Sequence, residues 1–296
     1  MSMRKVLSVG LLLVSAGGLA VSAVHIVPYI REEVQSASLY AELAALHAAG
    51  DDSQTEGTTD TTGTVTRPTE TAAGNGAWEG SQADGEAREN GDSDSQEDAS
   101  NEVAQPVIHS GLLALHRRNP DCVAWISIEG TAIDYPVMYR PAQKNYYLHR
   151  NFNGKRAFAG ALFIAENCDP DDSDNVIIYG HNMTSGSMFA ALNKYKKQSF
   201  FEDHRRIVYE TLHGSETYEV MFAFTTRVYT GHDFQYYTFS KANSAEEYDA
   251  YISACRERAL YDTGVTARYG DKLLTLSTCE YSHKNGRMVV VAKKIT

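Results

Sequence analysis

The sequence is poor in cysteine, with four in 296 residues and no Cys-x-x-Cys pair, so neither a disulfide-built scaffold nor a zinc-ribbon or thioredoxin-type reading finds support. It has no concentrated stretch of basic residues. Its net charge is −11, yet residues 51–105 hold 14 Asp and Glu against Arg67 and Arg88, a net of −12, so the other residues carry 25 basic and 24 acidic groups and sum to +1. A nearly neutral folded part excludes a nucleic-acid binder, because counterion release needs clustered Lys and Arg. Collagen-like periodicity, coiled-coil heptads and internal repeats are absent too, and 43% hydrophobic residues is too many for a wholly disordered chain.

Only one apolar run has spanning length. It extends over 25 residues, from Val6 to Ile30, broken by small or mildly polar residues, His25 and Pro28. That length crosses a ~30 Å hydrocarbon core. Arg4 and Lys5 before it and Glu32 and Glu33 after it predict a single-pass anchor over residues 1–31 with a cytoplasmic tip and everything beyond outside the cell. A cleaved signal peptide is the alternative, since Val21-Ser22-Ala23 has the small-x-small form of a cleavage site. Residues 32–50 read as a juxtamembrane helix ending at Gly50, and residues 51–105 as an acidic disordered linker with almost no branched aliphatics to offset chain entropy. As a tether it would hold the next domain off the membrane.

Residues 106–296 are enough for one domain with a sizeable core. A short helix is expected from Leu112 to His116, closed by Asn119-Pro120. Alternating or apolar segments predict strands at Cys122–Ile128, Ala132–Val137, Ala161–Ile164, Val176–Tyr179, Ile207–Thr211, Tyr218–Thr226, Leu273–Leu276 and Met288–Ala292. Short strands of this kind imply a mostly β fold with added helices, a largely antiparallel barrel or sandwich. One helix is expected from Ser187 to Tyr195, with Met188, Leu192 and Tyr195 on one face. A second opens at Ser244 with Glu247 placed for a capping box, and its Tyr248, Tyr251, Ile252 and Cys255 share a face, which makes Cys255 a structural thiol.

Chemistry gathers at strand ends. The Val176–Tyr179 strand runs into Gly180-His181-Asn182-Met183, the Leu273–Leu276 strand into Cys279, and Arg287 opens the last strand after a polar loop. A thiol, an imidazole and a guanidinium supply a nucleophile, an acid/base and an oxyanion clamp. Each also has a structural reading: a capping histidine, an inert buried thiol, a solvated charge. A metal site of Cys279 and His283 with His181, His204 or His232 lacks tight ligand spacing, so no metal and no cofactor is expected.

Thr275-Leu-Ser-Thr-Cys279 with Arg287 eight residues on, and Tyr179-Gly-His-Asn-Met183 upstream, resembles the sortases, cysteine transpeptidases of Gram-positive cell surfaces, and most resembles their class B branch. Asn119–Ile128, Ile133–Val137, Ser187-Met-Phe189 and the helix from Ser244 extend the resemblance over the whole domain. It implies a closed eight-stranded β-barrel with Cys279 as nucleophile, His181 as acid/base and Arg287 as oxyanion stabiliser. Asn182, Ser277, Thr278 and Tyr281 are the expected substrate-binding residues. The implied reaction cleaves a C-terminal sorting motif at a Thr-Gly or Thr-Asn bond and passes the thioacyl group to an amine of peptidoglycan or a pilin. A secreted cysteine hydrolase and a non-catalytic surface adhesin are the alternatives; papain-like hydrolases usually place Cys before His, whereas here His181 comes first. No acidic partner for His181 is evident, and at most one disulfide is expected among Cys122, Cys168 and Cys255.

Overall fold

The structure is a computed structural model and describes residues 26–50, 109–229, 231 and 233–296. The cytoplasmic tip, the apolar run as far as residue 25, the acidic segment 51–105 and His232 lie outside the described residues. Among the described residues no helix is long and apolar enough to cross a membrane.

Eight strands close into a barrel: β1 (Cys122–Ser127), β2 (Asp134–Met138), β3 (Leu162–Ile164), β4 (Asn175–Tyr179), β5 (Arg206–Thr211), β6 (Gly214–Arg227), β7 (Leu273–Glu280) and β8 (Gly286–Lys294). Their order around the wall is β1-β2-β3-β4-β7-β8-β6-β5, and β5 pairs with β1 to close it. The expected antiparallel character holds for most pairs, but β2 with β3 and β4 with β7 run parallel. A parallel pair needs a long crossover, and the β4-to-β7 crossover carries β5, β6 and the helix that covers the outer wall.

Among the described residues four α-helices decorate the barrel: α1 (described over residues 26–50), α2 (Ser110–Arg118), α3 (Gln198–Asp203) and α4 (Ala245–Arg258). The side chain of Ser244 caps α4 by accepting from the Glu247 N–H at 3.3 Å, while Glu247 accepts from the Asn243 N–H at 2.9 Å. Tyr248, Tyr251, Ile252 and Cys255 are buried as their spacing requires. This helix explains the unbroken apolar run of β8. Met288, Val290 and Ala292 belong to the barrel interior, whereas Val289 and Val291 face the cluster under α4, so both faces of the strand are dry.

Four expectations need correction. The strand expected at Leu273–Leu276 is longer than its apolar core suggests, so Cys279 lies within β7 rather than beyond it, whereas Arg287 opens β8 as expected. The helix expected from Ser187 begins only at Ala190, as a 3-10 segment Ala190–Lys196, because Met188 takes φ +54° and the chain turns back to bridge Asn182. Gly180, read as loosening a turn, is not in the left-handed region; it is small because a Cβ there would lie 2.4 Å from Leu162 Cδ2 and 2.7 Å from Phe189 Cδ2.

The fourth correction concerns α1, which docks on the barrel instead of standing apart from it. Leu43 is fully buried, and the Tyr40 hydroxyl donates to the Gly160 carbonyl at 2.5 Å. Burying Leu43 alone contributes about 1.5–3 kcal/mol. The C-terminus of α1 meets α2 glycine to glycine: a Cβ on Gly50 would lie 2.0 Å from the Gly111 nitrogen, and one on Gly111 would lie 2.1 Å from the His47 carbonyl. The Ser110 hydroxyl also donates to the Gly50 carbonyl. Gly50 and the Ser110-Gly111 pair, which flank residues 51–108 in the sequence, are thus in direct contact.

Candidate active site

The parallel β4/β7 ladder sets Tyr179 beside Ser277, so the two residues that follow each strand position, Gly180-His181 and Thr278-Cys279, emerge at the same end of the barrel. In the antiparallel β7/β8 ladder Cys279 is directly opposite Arg287, which puts both side chains on one face within contact range. The period of two in β7 sends Leu274 and Leu276 into the barrel core and Ser277 and Cys279 to the other face. There His181, Cys279, Arg287, Ser277 and Thr278 line a cavity of about 510 Å³, with Tyr236 and Val228 in its wall and Lys144 and Glu166 among its polar lining.

Hydrogen bonds fix this end of the barrel. Thr278 Oγ1 donates to the Gly180 carbonyl at 2.8 Å, and the Gly180 N–H to the Ser277 carbonyl at 3.2 Å. The Cys279 carbonyl accepts from Asn182 Nδ2 at 3.1 Å and from Asn193 Nδ2 at 3.3 Å. Ser277 shares a hydrogen of 2.6 Å span with the Tyr236 hydroxyl. Asn182 and the exposed Tyr281, whose hydroxyl donates to the Asn182 carbonyl at 3.2 Å, stand outside the cavity lining. Both thus hold backbone, whereas the other five expected residues share the cavity.

His181 Nε2 lies 2.7 Å from the Leu148 carbonyl. A carbonyl only accepts, so the neutral ring carries its hydrogen on Nε2 and keeps the Nδ1 lone pair. The orienting partner absent from the sequence reading is therefore a backbone oxygen, not a carboxylate. Burial lowers the His181 pKa against the opposing effect of that hydrogen bond, and the charges of His149 and Arg287 add to the lowering. The Phe158 ring lies 9° from parallel to His181 with centroids 6.5 Å apart. Phe158 is in turn held by α1, where Glu32 accepts its N–H and Tyr29 meets its ring edge-on at 5.6 Å. Nothing in the local sequence of residues 29–32 signals this support.

Of the four cysteines, all free, only Cys279 reaches solvent. Burial pushes the thiols of Cys122 and Cys255 up to about 12 and that of Cys168 to about 11, which makes them inert. Arg287 Nη1 donates to the Gly286 carbonyl at 2.8 Å, and among the described residues no carboxylate pairs with it. Glu280, next to the thiol in sequence, opposes its own desolvation through a 2.6 Å bond from Lys196 and further bonds from Ser282, which hold its carboxyl down at about 2. Lys196 neutralises that charge. The metal grouping of Cys279 with His283, His181 or His204 does not form among the described residues.

A family model described as the sortase domain matches residues 126–295. Sortase B of Listeria monocytogenes is 36% identical over 204 residues, which is 67% of this chain and 80% of the relative; sortase B of Staphylococcus aureus is 31% identical over 188 residues, 62% and 73% of the two chains. Among solved structures, a mutant form of Clostridium perfringens sortase B is similar with a TM-score of 0.59 and 30% identity over 63% of this chain and 87% of that one. The Staphylococcus aureus sortase B-substrate complex gives 0.59 and 29% over 64% and 86%. Barrel, cavity and sequence kinship agree: the chain belongs to the sortase family of cysteine transpeptidases and is class B-like.

Proposed function

We propose that the enzyme cleaves a C-terminal sorting motif at a Thr-Gly or Thr-Asn type bond and transfers the acyl group to an amine of peptidoglycan or of a pilin, with Cys279 as nucleophile, His181 as acid/base and Arg287 as oxyanion donor. The observation that carries this reading is the register of β7 and β8, which opposes Cys279 to Arg287 beside the strand that ends in His181, with all three lining one cavity.

The Cys279 sulfur attacks the scissile carbonyl carbon, and the Arg287 fork receives the oxyanion that develops. The carbon–nitrogen bond then breaks, and the leaving amine takes a proton from His181. The incoming amine attacks the thioester, gives its proton to His181 and releases the thiolate. With reference pKa values of about 8.5 and 6.5, a thiolate–imidazolium pair makes up only ~1% of an unperturbed couple. The lowered pKa of His181 makes its protonated form a stronger acid toward the leaving amine.

We assign the apolar run 6–30 to a single-pass anchor that keeps the barrel outside the cell; the charge bias around it supports this. The test is a screen of LPxTG-like and NPxTN-like peptides with an added amine, using wild type and Cys279→Ala. Wild type is expected to cleave one class and form the amide product, with no turnover in the variant. Cleavage by Cys279→Ala, or an alkylation-resistant Cys279 in active protein, overturns the assignment.

A further inference from the structure

Away from the catalytic cavity, three potential metal ligands from three separate elements converge: His47 on α1, His109 just ahead of α2, and Glu210 on β5, with one ligand atom of each within 4.8 Å of the others. His47 Nε2 lies 2.9 Å and His109 Nε2 3.8 Å from the same carboxylate oxygen, Glu210 Oε2. All three side chains are largely shielded, at 10%, 18% and 16% exposure. We propose that this cluster is a binding site for a divalent transition-metal ion of the zinc class, which clamps α1 to the barrel.

The chemistry selects the ion. Two imidazoles and one carboxylate suit Zn²⁺, Ni²⁺ or Co²⁺, whereas Mg²⁺ and Ca²⁺ require mostly oxygen. Tetrahedral ligands at about 2.05 Å from zinc stand about 3.3 Å apart, and the separations of 2.9 and 3.8 Å bracket that edge. Three protein ligands leave one position for water. One rearrangement is required. The imidazoles lie 9° from parallel with centroids 4.1 Å apart, so a ring must turn out of the stack for both lone pairs to meet one ion. A reporter is built in, because Trp125, the β1 partner of Glu210, stacks on His47 at 4.2 Å.

The site shares no residue with the lining of the cavity that holds Cys279, so its test is independent of the transpeptidase mechanism. The full chain, without an affinity tag and with Cys279→Ala to remove the reactive thiol, is titrated with each metal salt. At a hundredfold excess over Kd, Zn²⁺ is expected to raise Tm by about 5–10 °C while Mg²⁺ and Ca²⁺ do not. The shift, read against each variant's own metal-free Tm, should fall below a third in His109→Ala and in Glu210→Gln, which keeps the shape of the side chain. With Trp78→Phe added, Trp125 emission should change and saturate at one ion per chain. No Tm shift with any metal overturns the proposal, as does a shift that survives both substitutions. Emission that responds to acidification but not to metal makes the cluster a protonation site only and also overturns it.

Discussion

Gly180→Ala tests how tightly the barrel wall controls His181, the proposed acid/base. The backbone of Gly180 is not left-handed, so alanine meets no conformational barrier and any effect comes from contact alone. The added methyl would lie 2.4 Å from Leu162 Cδ2 and 2.7 and 2.8 Å from Phe189 ring atoms, and both neighbours are fully buried. They must yield by more than an ångström into a packed interior. Overpacking of this kind costs about 1–3 kcal/mol, which for a domain of this size lowers Tm by about 2–12 °C. If the wall holds and His181 moves instead, a 1 Å displacement costs about 10²-fold in rate. The expected result is a loss of at least tenfold in kcat/KM for the best peptide, measured well below the variant's Tm, with partial recovery when Leu162→Val makes room. Wild-type Tm and turnover in Gly180→Ala would refute the reasoning.

Arg287→Lys is expected to keep the fold and lose about 10²–10³ in turnover, because an ammonium cannot present a planar fork of donors; near-normal peptide cleavage would remove Arg287 from the mechanism. Glu280→Gln should lower stability at pH 7 by about 2 kcal/mol. Its carboxyl sits at about 2, below its ordinary value, so its contribution is present above pH ~4.5 and is lost as pH falls toward 2. Urea denaturation at pH 7 and pH 2.5 should therefore show a gap that narrows in acid, and a constant gap would contradict the ion pair with Lys196. Replacing residues 51–105 by about six Gly and Ser residues should leave Tm unchanged or raise it by the equivalent of up to about 2 kcal/mol, since the loop ends already meet. A lower Tm would show that the acidic segment stabilises the fold.

The barrel was legible because strands buried on one or both faces leave apolar runs, and the candidate residues stood out because His181 and Cys279 follow such runs and Arg287 opens one. Strand ends were not. Glu280 looks like a loop residue, yet it stays in register opposite Gly286 because Lys196 and Ser282 satisfy its carboxylate. Asn193 escaped notice because its role depends on a 3-10 turn meeting a strand 86 residues away. The docking of α1 was hidden for a similar reason: its partners, Gly111, Trp125 and Gly160, follow a long acidic stretch that reads as a separator.

That docking changes what an anchored enzyme can do. A barrel on a leash tumbles and samples many orientations, whereas one whose first helix is fastened along its side inherits the heading of whatever holds the start of that helix. With the proposed anchor running into the first described turn of α1, the mouth that holds Cys279 and His181 would point in a direction set by that helix, and substrates would approach from that side.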